Sequence, residues 1–382
     1  MEFLVFSDDW GEHPSSCQHI FRIIAQEHRV LWVNTIGMRN PTLTFRDLKK
    51  TIRKIGKMLR HAKCMGKTTE RNVNIAICQP LMLPGVHSQW VRRVNARSVT
   101  RKVRALMKER QFDQPIVVTT VPNVAEYQDL IIDRRVIYYC VDDFSLWPGL
   151  DAKTVQAMET RLIARADRII AASDNLAQRF KEMGKDPGVI THGVDLELFS
   201  TAALREHQRT LHIQKPRVGF FGLIDGRMDW ELLVALARQM PDISFVFAGP
   251  IDASAGGLPV SSNIHFIGPV AYPELQEFIA GMNALMLPYK TGALGKMLSP
   301  LKLKEYLATG KPIVCSAIDA VWEWDDVVDI GRTVEEWQGL LRRVVQGESS
   351  KRSAIVSGRL ATESWQVKAS EFLRLCEEVP GT

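Results

Sequence analysis

The sequence predicts an α/β protein with two parallel β-sheets, and three observations predict it. Short β-branched and aromatic runs alternate with helix-period segments along nearly the whole length, the mark of repeated strand–helix–strand units. With 382 residues, 46% of them apolar, the chain can bury two cores of ordinary domain size. A polar, charged stretch at 200–216, STAALREHQRTLHIQKP, separates an early group of strand candidates from a late one.

The early candidates are EFLVFS, HRVLWVN, VNIAICQ, QPIVVTT, RRVIYYCV, DRIIAAS and GVITHGV; the late ones are RVGFFGL, ISFVFAGP, IHFIGPV, ALMLPY and KPIVCS. Each group suits a Rossmann-like sheet. The expected division is an N-terminal domain over 1–200 and a C-terminal domain over 201–382, with SWQVKASEFLRLCEEV as a terminal amphipathic helix able to pack back on the first domain. No internal repeat or low-complexity tract interrupts the pattern. No window approaches the roughly 18 apolar residues of a membrane span, and MEFLVFSDDW lacks a basic region before its apolar run, so a cytoplasmic location is expected. Cys17, Cys64, Cys78, Cys140, Cys315 and Cys376 lack metal-ligand spacing, and most lie in apolar runs; they read as reduced core thiols.

The net charge of +6 is unevenly spread. Residues 1–200 hold 30 Lys and Arg against 22 Asp and Glu, whereas 201–382 hold 19 against 21. An anionic partner is therefore expected at the first half, or else a merely solvated basic surface. Between Arg46 and Lys67 nine basic residues meet one acid, Asp47, while Phe45, Leu48, Ile52, Ile55 and Leu59 recur at spacings of three and four. This basic amphipathic helix suits peripheral docking on an anionic inner leaflet; the alternative is that its apolar stripe packs on its own domain. Arg92, Arg93, Arg97, Arg101, Lys102, Arg104 and Lys108 form a second basic helix, read as an ordinary sheet-covering element.

The stretch with the clearest chemistry is YKTGALGKMLSPLKLKEYLATGKPIVCS, Tyr289 to Ser316. A glycine-bearing loop feeds a helix whose start is marked by Ser299 as N-cap and Pro300 at the first position, and Gly310 closes it. The unpaired N–H groups and positive dipole end of such a helix suit a pyrophosphate. Lys302 adds a mobile positive charge, and Glu305, one turn deeper on the same face, puts a carboxylate within reach of a ribose diol. The alternative is a surface helix with an i,i+3 ion pair.

SPLKLKEYLATGKPIV resembles the signature helix of family-four-like GT-B glycosyltransferases, and THGVDLELF resembles the motif that ends their N-terminal domain. Within that family the similarity is to bacterial transferases of extracellular and wall polysaccharides, teichuronic-acid and xanthan-type glucuronosyltransferases among them. The resemblance implies two Rossmann-like domains facing each other across a cleft, with Lys302 at the donor phosphate, Glu305 at the ribose and Tyr289 beside the nucleotide. Met297 stands where retaining members carry a second glutamate, so inversion is expected. After the first strand of the C-terminal domain, where those members place an Arg and a Lys, FFGLIDGRMDW offers Arg227 alone, slightly displaced. Gly222 still permits close backbone approach to a phosphate, or simply makes a turn.

An inverting transferase needs a general base for the acceptor hydroxyl. YYCVDDFSLW places Asp142 and Asp143 after an apolar strand, at the edge where open α/β sheets put their sites; one of two adjacent carboxylates can raise the pKa of the other. The resemblance aligns Asp142 with the proposed base of the xanthan-type enzyme, so Asp142 ranks first and Asp143 second. In SDDWGEHPSS the residues Asp8, Asp9, Glu12 and His13 precede a helix capped by Ser15 or Ser16; Asp9 is the alternative base, or the group positions substrate or simply ends the strand. His192 of THGVD is either a donor contact or a satisfied structural histidine.

No His, Cys and carboxylate grouping has metal-ligand spacing and no D-x-D pair is evident, so no metal and no cofactor is expected. The function expected is transfer of a sugar from a nucleotide-sugar donor, UDP-sugar favoured, to a lipid-linked or polysaccharide acceptor in cell-surface glycan synthesis, with inversion. The alternatives are a nucleotide-sugar epimerase of the same fold and a nucleic-acid-binding protein. For the last, basic motifs interleaved with aromatic residues are missing, and no nucleic-acid partner is expected.

Overall fold

The computed structural model describes residues 1–11, 15–35, 74–83, 88–146, 150–200, 203–292, 301–348 and 353–378. Glu12, His13, Cys64, Met297, Ser299, Pro300 and the basic segment Arg46–Lys67 lie outside the described residues. The chain divides into two compact units, Met1–His192 with Trp365–Thr382, and Gly193–Ser364.

The first unit holds a seven-stranded parallel sheet formed by β1 (Glu2–Ser7), β2 (Arg29–Asn34), β3 (Ile75–Cys78), β4 (Ile116–Thr119), β5 (Val136–Cys140), β6 (Arg168–Ala171) and β7 (Gly188–Val189), in the order β3-β2-β1-β4-β5-β6-β7. In register, Leu4 lies opposite both Leu31 and Val117. These strands read as continuous apolar runs because both faces are covered; Phe3, Leu4, Val5 and Phe6 are all fully buried. GVITHGV yields only the two-residue β7.

The second unit repeats the pattern with β8 (Arg217–Phe221), β9 (Ser244–Ala248), β10 (Ile264–Gly268), β11 (Ala284–Leu287), β12 (Ile313–Ser316) and β13 (Asp329–Gly331), in the order β10-β9-β8-β11-β12-β13. The edge strand β13 has no counterpart among the sequence candidates, since three residues containing an aspartate and a glycine carry no strand periodicity. In each sheet the order reverses once, between β1 and β4 and between β8 and β11. Such reversals open a crevice at the C-terminal ends of the strands, where α/β folds bind ligands.

The helices of the first unit include Gln89–Glu109 and Trp365–Glu377. Gln89–Glu109 buries Asn95, Val99, Val103 and Met107 at intervals of four, so it covers the sheet while its basic residues line the rest of its surface. Trp365–Glu377 packs on the helix Ser16–Ile24: Trp365 stacks on His19 with ring centroids 4.6 Å apart, and Phe372 meets Phe21 at 5.5 Å and Tyr139 at 5.7 Å. Cys17, Cys78, Cys140, Cys315 and Cys376 are all free thiols and buried, and burial pushes the pKa of Cys78, Cys140 and Cys376 up to about 12. Among the described residues no helix is long and apolar enough to cross a membrane.

Because Phe372 is fully buried between Phe21 and Tyr139, Phe372→Ala is expected to destabilise the first unit by about 3–5 kcal/mol, read from the urea midpoint. A loss under about 1 kcal/mol would show that the terminal helix is not part of that core.

Candidate active site

In the second unit the crevice is built around the end of β8. Gly222 follows the strand with φ +137°, and a Cβ added there would fall 1.7 Å from Cε and 2.5 Å from Nζ of Lys302. The lysine stem therefore lies directly on bare backbone, and any side chain at 222 would displace it. What holds it there is Tyr306, one turn along the helix Leu301–Ala308 on the same face. The Tyr306 hydroxyl accepts from the Phe221 amide at 2.9 Å and donates to the Phe221 carbonyl at 3.2 Å, and the two rings are 4.5 Å apart. A buried polar group so satisfied fixes helix against strand end. The helix stops at Gly310, whose φ of +67° makes the left-handed cap expected of a glycine just past a helix.

Charge is concentrated at this point. Burial lowers the pKa of Lys302, the Glu305 carboxylate opposes that shift, and Arg227 adds to it. Glu305 is 8% exposed, and burial raises its pKa to about 7, with Lys302 pulling it down and Asp195 pushing it up. Arg227 is aimed by Asp225, whose carboxylate takes Nη2 at 2.7 Å and Nε at 2.8 and 2.9 Å. The Arg227 guanidinium lies 5.6 Å from the ring centre of Tyr289. Tyr289 itself is buried at the end of β11, and the 222–229 loop is stitched to that strand end by Lys290 N–H donating to Arg227 O and Asp229 N–H donating to Pro288 O.

Gly222, Arg227, Tyr289, Lys302 and Glu305 thus gather at one switch point, and Ser299 lies outside the described residues. Asp225 was not singled out by the sequence; its only signal is an acid two residues before an arginine in a glycine-bearing loop. An ammonium and a guanidinium beside backbone that carries no side chain suit a diphosphate, and a buried carboxylate suits a hydroxyl pair. Among the described residues no group of three or more His, Cys, Asp or Glu could hold a metal ion.

The first unit has acids at its strand ends. Asp8, following β1, accepts from Ser7 Oγ at 2.8 Å, Ser15 Oγ at 3.0 Å and Gln18 Nε2 at 2.5 Å, so it fixes the turn into the next helix. Asp9 comes next, its carbonyl accepting from Gln18 Nε2 at 3.2 Å. Asp143, past β5, pairs with Arg179 at 3.0 Å and accepts from Ser145 Oγ at 2.6 Å. Arg179 also holds the buried Glu159 at 2.6 Å, which takes the Tyr138 hydroxyl at 2.7 Å. Asp142 is exposed, and its carboxylate accepts the Asp143 amide at 2.8 Å. Since β4 alone separates β1 from β5, the two acidic strand ends lie about 10 Å apart. His192 belongs to the first unit, and its Nδ1 is 2.5 Å from Ser16 Oγ.

No family model matches the sequence. A Bacillus subtilis (strain 168) protein assigned to teichuronic acid biosynthesis as a glycosyltransferase is 30% identical over 216 residues, covering 51% of this chain and 53% of the relative, so the match spans about half of that protein's length. Among solved structures, sucrose-phosphate synthase from Thermosynechococcus elongatus is similar with a TM-score of 0.68 at 14% identity, over 99% of this chain and 98% of that one. Anabaena HepE, solved in complex with UDP and glucose, is similar with a TM-score of 0.68 at 13% identity, over 99% and 100%. The fold is the GT-B arrangement of two Rossmann-like domains, and the resemblance carried by SPLKLKEYLATGKPIV and THGVDLELF stands.

A carboxyl whose folded pKa is about 7 against an ordinary 4.5 binds more protons folded than unfolded between those values, so its contribution to stability declines as pH rises across that window and is lost above it. Glu305→Gln is expected to flatten this slope, removing up to about 3 kcal/mol of pH dependence in urea melts between pH ~4.5 and ~7.5. An unchanged slope would show that Glu305 is not desolvated.

Proposed function

We propose that the protein is a glycosyltransferase that takes a sugar from a nucleotide-sugar donor, UDP-sugar favoured, and passes it with inversion to a lipid-linked or polysaccharide acceptor in cell-surface glycan synthesis. The observation that carries this reading is the Lys302 ammonium lodged on the bare backbone of Gly222, with Arg227 beside it and Glu305 one turn deeper. Lys302 and Arg227 bind the diphosphate and stabilise the charge it gains as the sugar–phosphate bond breaks. Glu305 accepts from hydroxyls of the ribose, Tyr289 walls the nucleotide and His192 meets the donor. The UDP in HepE supports the choice of nucleotide.

In the first unit Asp142 removes the acceptor proton. Its exposure at a strand end supports that role, whereas Asp143, ranked second, is engaged by Arg179 and Ser145; Asp9 remains the alternative base. Met297 in place of a second glutamate supports a single displacement over a retained configuration. The relative assigned to teichuronic acid biosynthesis and the basic excess of residues 1–200 support a lipid-linked or polymeric anionic acceptor at the inner membrane face.

Lys302→Ala is expected to weaken UDP binding about 10- to 100-fold, measured by calorimetry, because a charge-assisted contact to phosphate is removed. Asp142→Asn is expected to keep UDP affinity and lose about 10²- to 10⁴-fold in transfer, with the wild-type product showing the opposite anomer by NMR. Undiminished UDP binding by Lys302→Ala would end the donor assignment, and undiminished transfer by Asp142→Asn would end the base assignment.

A further inference from the structure

The helix Gln89–Glu109 carries a surface that donor chemistry leaves unexplained. Arg93, Arg97, Arg101, Arg104 and Lys108 recur at spacings of four, four, three and four, and all five are exposed. They form one stripe, about 22 Å long at 1.5 Å per residue, opposite the face that buries Val99 and Val103. Trp90 falls on the same stripe at the helix start and is 66% exposed. The segment that follows the edge strand runs along the first half of the helix: Asn95 exchanges hydrogen bonds with the Leu83 backbone at 2.7 and 2.8 Å, and Ser98 donates to Leu81 O at 2.6 Å. Leu81 and Leu83 are themselves exposed, at 61% and 41%.

The acids near the stripe do not neutralise it. Glu126 is taken by Arg92 at 3.4 Å and Arg161 at 2.5 Å, and Asp129 lies 3.9 Å from Arg104. Arg93, Arg97, Arg101 and Lys108 make no ion pair with any described residue. An exposed tryptophan at the start of a basic stripe is the composition of an interfacial surface: the tryptophan enters the headgroup region while the arginines meet lipid phosphates. A crossover helix in a parallel sheet also begins at the C-terminal edge of the strands. Trp90 therefore lies at the same edge of the first unit as Asp8, Asp9 and Asp142.

We infer that this face docks the protein on an anionic lipid bilayer, apolar end at the active edge, so that an acceptor carried by lipid is delivered to the acidic strand ends. The surface itself is argued from charge and exposure; only its purpose rests on the proposed transfer to a lipid-linked acceptor.

The test is flotation of the full chain with phosphatidylcholine vesicles, with and without phosphatidylglycerol, at low salt. Wild type should float only with the anionic vesicles. R93A/R97A/R101A should lose about a hundredfold in partition, and Trp90→Ala several-fold, with urea midpoints and UDP-induced stabilisation unchanged. Wild-type partition by the triple variant overturns the inference, because the Arg46–Lys67 segment or another surface would then do the binding. Duplex DNA bound as tightly as the vesicles, and lost in the same variant, overturns it in favour of nucleic acid. UDP stabilisation, followed in parallel, reports on the donor site whatever the vesicles show.

Discussion

The candidate site depends on one steric fact: the Lys302 side chain occupies the volume that a Cβ on residue 222 would take. A glycine there lets the Lys302 stem and ammonium rest directly on the backbone, which no longer side chain would permit. Tyr306 makes the contact durable, since its hydroxyl is satisfied at both lone pair and proton by Phe221 and cannot leave without stranding buried polar groups. Glu305 is then carried, by helical geometry alone, into a buried position where its carboxyl is held near neutrality. One strand end, one helix turn and one missing methyl group set the positions of Lys302 and Glu305.

The two sheets share a strand order but carry opposite chemistry at their switch points. The second gathers cations, Lys302 and Arg227, beside open backbone. The first gathers carboxylates, Asp8, Asp9, Asp142 and Asp143, among hydroxyls such as Ser7 and Thr120, which are paired at 2.8 Å. Cations suit a diphosphate and carboxylates suit a hydroxyl proton, the two chemistries that the proposed transfer calls for. Two of the four acids are spent on structure. Asp8 fixes a turn, and Asp143 belongs to a network with Arg179, Glu159 and Tyr138 in which removing one partner would leave the others buried and unpaired.

The helix Gln89–Glu109 shows how one periodic pattern serves two surfaces. Its apolar positions pack on the sheet, and the same 3.6-residue period that aligns them also aligns the arginines on the far side. A sheet-covering role and an interfacial one are thus compatible on one element.

Much of this was legible in residue order alone. Strand runs such as EFLVFS and RVGFF, the glycine and lysine of the donor helix and the acids after YYCV are local features, and local patterns of burial, turn and charge fix them. What residue order could not show is which members of a cluster are already engaged. That Asp225 aims Arg227, that Asp143 is committed to Arg179, that His192 pairs with Ser16 and that β13 exists at all depend on partners distant in sequence or on sheet edges without periodicity. The chain's own order determined the two-sheet architecture and the helix that carries Lys302 and Glu305, because those follow from spacing along one element. Tertiary structure decided the state of each charge, because burial and ion pairing are properties of neighbours that only folding brings together.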